Sequence, residues 1–442
     1  RLSIGDAMLF FGQILNAAIS LSVYALGKAL WRDWRPAAAG ALLVSFATRM
    51  PAYYLSWGRY TLITGLILLP LAMGLALRLL RKNLQKRESL TLGLLTAGVL
   101  FSHYFAGALL ALFLVLLAVV YLIPRWDRPL TALLRFSAVP IGAVLGLIFA
   151  APWLLRVVRF STASTQVSVN LPSSMESIFD AGRWNYIWQL LSPASNHWLL
   201  LAAGLGLILG LITKKMTYFA LWSLALGLLS LPLGQDLGPF RPDHFAIVLF
   251  LPVAAWAGWL FWQAGHWLAK RLDRRWISIA LPALLVCAWI AWGFHLSANI
   301  VNPVTTLVTE ADLRALVWVE ANTPEDARFF INTTHWLGGV YRGVDGGGWL
   351  LPYAERWSLV PTVFYGFSED NDYRTQIRDW GERASEVSGC SEDFWELVEE
   401  AELNWVYINL SDGELQPASL EDCPDIVQAY ANERVRIYKI QP

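Results

Sequence analysis

The stretch that decides the fold is RPDHFAIVLFLPVAAWAGWLFWQAGHWLAK, residues 241–270. Between His244 and Leu268 it holds no Asp, Glu, Lys or Arg. A helix rises about 1.5 Å per residue, so about 20 apolar residues cross a hydrocarbon core about 30 Å thick. The stretch therefore reads as a membrane span. Arg241-Pro242-Asp243-His244 opens it and Lys270 closes it.

The same test along the chain predicts ten spans: roughly 7–30, 36–50, 61–80, 89–102, 105–123, 132–152, 195–213, 216–233, 244–268 and 276–294. Those at 36–50 and 89–102 are short and need help from their flanks or a thinned bilayer. One kinked helix over 89–123 is the alternative to two spans; the polar Ser102-His103-Tyr104 at its centre favours a turn. Apolar residues make up 56% of the chain, charged residues only 15%, and there are 23 Trp, all away from a soluble average.

Charge divides the chain. Up to about residue 300 there are 24 Lys+Arg against 9 Asp+Glu; from 301 onward there are 10 against 25. The predicted fold class is thus an all-α polytopic membrane domain of about ten spans, residues 1–300, followed by an α/β domain, residues 301–442. If the loops 31–35, 81–88, 124–131, 214–215 and 269–275 are cytoplasmic, 17 of the 24 basic residues lie inside. Lys28, Lys82, Lys86, Lys214, Lys215 and Lys270 are then all inside, and the C-terminal domain is extracytoplasmic. The chain starts at Arg1 and enters a span within a few residues, with no signal-peptide pattern. An even span count with both ends outside leads us to expect an N-terminal truncation, with at least one earlier span missing.

Within the tail, Glu310–Glu320, Asp370–Val387 and Ser391–Ala401 carry helical patterns. Arg328–Asn332, Trp405–Asn409 and Val435–Ile440 read as strands, and Gly346-Gly347-Gly348 as a loop. Among the external loops, 51–60 is aromatic. Met175–Leu191 reads as an amphipathic interfacial helix. Cys287 is expected to be a buried apolar residue in the last span. Cys390 and Cys423 are the only cysteines of the tail, and an external compartment favours a disulfide between them over two separate thiols.

Few residues can carry chemistry on the external side. The acids there are Asp6, Glu176, Asp180, Asp236 and Asp243; the cations are Arg1, Arg49, Arg59, Arg156, Arg159, Arg183 and Arg241, with no Lys. Arginine suits bidentate phosphate or carboxylate recognition, although any of these could simply snorkel to the interface. Arg241-Pro242-Asp243-His244 could bind a lipid phosphate or assist proton transfer; alternatively Asp243 caps the helix. His103 is a site candidate or a structural residue of its turn. There is no nucleotide loop, zinc spacing or nucleophile elbow, and nothing points to nucleic acid. Asn332-Thr333-Thr334 and Asn409-Leu410-Ser411 match glycosylation acceptors.

Trp57-Gly58-Arg59-Tyr60-Thr61 leads into Leu68-Leu69-Pro70, and Phe101-Ser102-His103-Tyr104 falls between two short spans. Arg241 precedes a span, and the soluble domain opens with Trp318-Val319-Glu320-Ala321-Asn322-Thr323-Pro324. In this layout the chain resembles the GT-C superfamily of integral-membrane glycosyltransferases, of the uncharacterised bacterial and archaeal type. The resemblance implies a cytoplasmic-membrane enzyme that takes a sugar from a polyprenyl-phosphate-linked donor and gives it to an extracytoplasmic glycan or protein acceptor. It implies Arg241 as a lipid-phosphate contact and allows a divalent cation, Mg or Mn; beside Arg241, the residues themselves offer Asp243, His244, Arg59, Tyr60 and His103 as substrate-binding candidates. The family's main carboxylate sits in a large loop after its first span. That loop is absent here, so the base is expected to lie outside this chain, with Asp180 and Asp236 as secondary catalytic candidates. A non-catalytic protein that binds lipid-linked glycan or assists envelope assembly is the second reading. A transporter is the third, disfavoured by the lack of charge inside the spans.

Overall fold

The structure is a computed structural model. It describes residues 4–81, 86–125, 127, 129–161, 169–170, 180–191, 197–214, 216–233, 236–237, 240–296, 300–301, 306–336, 339–410, 413–421 and 423–441. The chain forms two units, one of Arg1–Val158 with Gln166–Asn302 and one of Arg159–Thr165 with Pro303–Pro442.

The first unit is helical: α1 Ile4–Trp31, α2 Trp34–Phe46, α3 Ala52–Leu55, α4 Tyr60–Arg81, α5 Lys86–Ser102, α6 Tyr104–Leu122, α7 Pro129–Phe136, α8 Ala138–Ser161, α9 Ala181–Leu191, α10 His197–Ile212, α11 Thr217–Leu229, α12 Pro242–Val248, α13 Phe250–Arg271 and α14 Ile277–Leu296. A two-stranded ladder, β1 Val169–Asn170 with β2 Asp236–Leu237, joins two loops. Among the described residues, six apolar stretches are long enough to cross a membrane by length and composition, and α10 and α11 are shorter apolar helices. The protein is an integral membrane protein by this measure.

The expectation of ten spans is met only in part. At 36–50 stands α2, whose 13 residues reach about 20 Å, too short to cross alone. Asp33 starts it by accepting from the Arg35 N–H at 3.0 Å, and it packs against α1, α13 and α14. Gly258 of α13 meets Gly40 of α2 so closely that an added Cβ would lie 2.7 Å from the Gly40 nitrogen. Small residues at such a crossing let backbones approach without lipid between them. The stretch 89–123 breaks into α5 and α6 at His103, whose Nδ1 accepts the Phe105 N–H at 3.2 Å and so caps α6. The segment from Pro242 to Arg271 is the centre of the unit, with 83% of its apolar window buried; that of α14 is only 17% buried. Cys287 lies on α14 and is exposed, not buried as expected. A surface that sparsely covered suits contact with lipid.

The second unit is α/β: α15 Glu310–Asn322, β3 Arg328–Ile331, β4 Thr333–His335, β5 Tyr341–Gly343, α16 Leu350–Ala354, β6 Trp357–Ser358, α17 Asn371–Ala384, α18 Glu392–Glu400, β7 Trp405–Asn409, β8 Ile426–Ala431 and β9 Val435–Ile440. Its sheet runs β6-β3-β7-β9-β8. β3 is parallel to β6 and β7, while β9 is antiparallel to β7 and β8. Strand residues alternate between two cores. Phe329, Ile331, Trp405 and Tyr407 face Leu316 and Leu350; Phe330, Val406 and Ile408 face Ile377, Phe394 and Leu397. Burial on both faces explains why β7 reads as an unbroken apolar run.

A disulfide joins Cys390 and Cys423, their Cα atoms 6.4 Å apart. The residues 346–348 read as a loop form a 3-10 turn, with Asp345 Oδ1 accepting the Gly347 N–H at 2.8 Å. An added Cβ on Gly346 would fall 2.5 Å from Asp312 Oδ1, so only glycine fits there. Asn332 and Asn409 are buried and hydrogen-bonded within the sheet region, which removes both glycosylation-type tripeptides from modification in the folded unit.

Candidate functional site

Three junctions of the membrane unit bring the predicted residues together. Arg59 immediately precedes α4, His103 caps α6, and Arg241 is the N-cap of α12. The proline at 242 fits the first turn, where a missing N–H costs nothing.

Arg241 donates to Asp243 Oδ2 at 3.1 Å, the acid side chain 12% exposed and the arginine side chain 57%. The Arg241 N–H also points at His244 Nδ1, 3.4 Å away. Asp243 is therefore not the helix cap: it sits in the first turn and holds the arginine. His244 stands 5.6 Å, ring to ring, from Phe105, which also contacts Phe240 and Phe245. His103 stacks on Tyr104 at 4.7 Å.

Tyr54, on α3, is the residue on which the charges converge. Burial pushes its phenol up, Arg59 and Arg241 oppose that shift, and Asp243 adds to it. The Arg59 guanidinium lies 5.9 Å from the Tyr54 ring. His103 is pushed down to about 4, first by burial and then by His244 and Arg59, so it is neutral near pH 7. Tyr186, on α9, is pushed up by burial and then by Asp243, with Arg241 opposing. Thus α9, which packs on α12, closes one side of the site. Arg49 covers the Tyr53 ring at 3.5 Å, and the buried Trp57 Nε1 has no hydrogen-bond partner among the described residues.

Arg59, His103, Arg241, Asp243 and His244 thus share one neighbourhood. Tyr60 turns instead to α1, donating to the Met8 carbonyl at 3.2 Å and packing on Phe11. Asp180 sits at the exposed start of α9, accepting from the Gly182 and Arg183 N–H groups and pairing with the Arg183 side chain at 3.4 Å. The helix expected over Met175–Leu191 is described from Ala181. Glu176 and Lys82 lie outside the described residues, as does the Asp236 side chain, whose backbone pairs with Asn170. Sequence reasoning missed Tyr54, Phe105, Phe240 and Tyr186; the aromatic richness of 51–60 was the only signal for the first.

A divalent cation needs converging donors. Among the described residues no three His, Cys, Asp or Glu side chains form such a group. At this site Asp243 is paired with Arg241, and both His103 Nδ1 and His244 Nδ1 face backbone N–H groups. These residues do not fit a divalent cation.

No protein-family model matches the chain, and no curated protein does. Among solved structures, the oligosaccharyltransferase of Archaeoglobus fulgidus, crystallised as a complex with Zn and sulfate, is similar to it. The match has 13% identity and a TM-score of 0.53 over 91% of this chain and 56% of that one. The chain therefore spans just over half the length of that protein. At this identity the likeness shows the fold alone: this chain shares its fold with that part of the archaeal protein.

Proposed function

We propose that the chain is a membrane glycosyltransferase that moves a sugar from a polyprenyl-phosphate-linked donor to an extracytoplasmic glycan or protein acceptor. The observation that carries this reading is a junction of distant segments: Arg59 lies 5.9 Å from the Tyr54 ring, and Phe105, beside His103, contacts Phe240 and His244, which flank the Arg241–Asp243 pair. In transfer, the bond from the anomeric carbon to the phosphate oxygen breaks and the phosphate takes the electron pair. Two guanidiniums beside that oxygen stabilise the developing charge. Asp243 holds Arg241 in place, and neutral His103 neither repels the arginines nor neutralises the phosphate. A carboxylate takes the proton of the acceptor hydroxyl; Asp180 and Asp236 are the secondary candidates for that role. We place the site on the outer side of the cytoplasmic membrane, with residues 301–442 extracytoplasmic and positioning the acceptor.

Donor binding by the full-length protein tests the reading. Arg241→Ala should weaken binding of polyprenyl phosphate by about 1.5–3 kcal/mol, the range for a charged hydrogen bond, and Arg241→Lys by less. Unchanged affinity in Arg241→Ala sinks it. A non-catalytic binder of lipid-linked glycan is the second reading, favoured by one observation: Asp180 and Asp243 are both engaged by arginines. Release of labelled sugar from the donor separates the two.

A further inference from the structure

The second unit carries a site of its own. β3 has β6 on one side and β7 on the other, both parallel to it. The chain leaves it for β6 through α16 and reaches β7 through α17 and α18. At such a switch point the carboxyl ends of the strands frame a crevice where ligands bind. The hairpin β4–β5 begins at that edge, with only Asn332 between Ile331 and Thr333.

Cross-strand pairs divide the hairpin into two faces. Thr333 pairs with Gly343 and His335 with Tyr341. This face is packed on α17, with the Thr333 hydroxyl on the Gly381 carbonyl at 2.6 Å and Tyr341 against Gly381. The acids near the hairpin, Glu382 and Glu386, act on Tyr341. The other face holds Thr334 opposite Arg342, and the Trp336 N–H bonds to the Val340 carbonyl at 2.7 Å and extends it.

Arg342 is anomalous there. It is half-buried, and its Nε is fully covered without a hydrogen-bond partner. No acid pairs with it among the described residues, and burial alone pushes its guanidinium down. An unpaired, partly desolvated cation is costly and asks for a reason. We propose that Thr334, Trp336 and Arg342 form a binding subsite for an acidic sugar, its carboxylate on the guanidinium and its ring face on the indole. A planar guanidinium fork matches a carboxylate. An indole offers a flat apolar surface to the C–H face of a sugar. Arg378 of α17 acts on Tyr341, on the hairpin's other face, so the one cation of this face fits one negative charge better than a phosphate dianion. That this sugar belongs to the acceptor rests on the transferase reading; the binding itself does not.

Calorimetric titration of the full-length protein tests it, with a glucuronic-acid oligosaccharide, a neutral glucose oligosaccharide of equal length and inorganic phosphate as probes. The uronic oligosaccharide should bind at least about tenfold tighter than either other probe, and Arg342→Gln should remove that advantage. Arg342→Lys should retain part of it, and Trp336→Leu should weaken the uronic and neutral sugars alike. Equal binding of the uronic and neutral sugars overturns the proposal, as does parent-like binding in Arg342→Gln. Phosphate binding as tightly as the uronic sugar overturns it in favour of a phosphate site. If Arg342→Gln fails to fold, full affinity in Arg342→Lys together with Trp336→Leu refutes it. The titrations contain no donor lipid, so failure here leaves the Arg241 reading standing, and failure of Arg241→Ala to weaken donor binding leaves this one.

Discussion

Asp243→Asn separates two roles that one ion pair could play. The carboxylate either aims Arg241 at the donor phosphate or merely cancels its charge. At 3.1 Å, and with an effective dielectric of about 20, the gross attraction is about 5 kcal/mol. The Arg241 side chain is 57% exposed, so solvent screens most of this. Measured exposed pairs retain about 0.2–1 kcal/mol, and the well-covered acid places this one near the top of that range. Asparagine keeps the shape and one weaker acceptor but loses the charge. If Asp243 aims the arginine, Asp243→Asn should weaken donor binding by about 1 kcal/mol, about fivefold in Kd. The effect should vanish in an Arg241→Ala background, because the pair then has no second member. The assay is equilibrium binding of polyprenyl monophosphate to protein in nanodiscs, at two salt concentrations. Tighter binding in Asp243→Asn would refute the positioning role: the site would have gained a net positive charge and lost nothing else.

Other outcomes follow from single features. Breaking the Cys390–Cys423 bridge, 33 residues apart in sequence, should lower the stability of the second unit by about 3–4 kcal/mol in the chain-entropy account; identical denaturant midpoints for the parent and Cys423→Ser would argue otherwise. Asp312 is fully buried and accepts from Thr309, Tyr407 and Asn409. Asp312→Ala should therefore cost about 3 kcal/mol or more by denaturant unfolding, because buried donors lose their acceptor, and a loss below about 1 kcal/mol would contradict that network. His103 has a folded pKa of about 4 against 6.5 unfolded, so the unfolded state binds more protons between those values. Stability should be full above about pH 6.5 and fall as pH drops towards 4; an NMR titration midpoint above 6 would contradict the burial.

The sequence made the long spans legible because apolar length is a one-dimensional property. Among the described residues, six stretches have both the apolar and the helical length to span. The stretch 36–50 has the first without the second, because α2 is only 13 residues long; it packs on α1, α13 and α14. Cys287 was misplaced for the converse reason: within a span, an apolar residue can face lipid or protein, and hydropathy does not separate the two. In the tail, β7 was readable from its unbroken apolar run. β8 was not, since only Ile426 of its six residues is buried. For the site, Arg241, Asp243 and His244 are adjacent in sequence and needed no folding to be grouped. Arg59 and His103 could be named as candidates, but their approach to Arg241 is tertiary. Tyr54 gave no chemical signal of its own, because its importance lies in where α3 places it, 5.9 Å from Arg59 and within the influence of Arg241.

The positions of the charged groups also explain why the site lies at helix junctions. A charge within a span is expensive, whereas one at a helix end keeps access to water and to unsatisfied backbone groups. Arg59 stands before α4 and His103 before α6, so two helix N-termini open into the neighbourhood of Arg241. Each brings a partial positive charge that adds to the guanidiniums. Such a field favours an anion, yet it does not accumulate without limit, since Asp243 offsets one arginine and His103 stays neutral. The balance leaves about one surplus positive charge between Arg59, Arg241 and Asp243, which matches a phosphodiester monoanion. A second phosphate on the donor would need a cation beyond these three, and Arg49, already stacked on Tyr53, is the nearest in sequence to supply it.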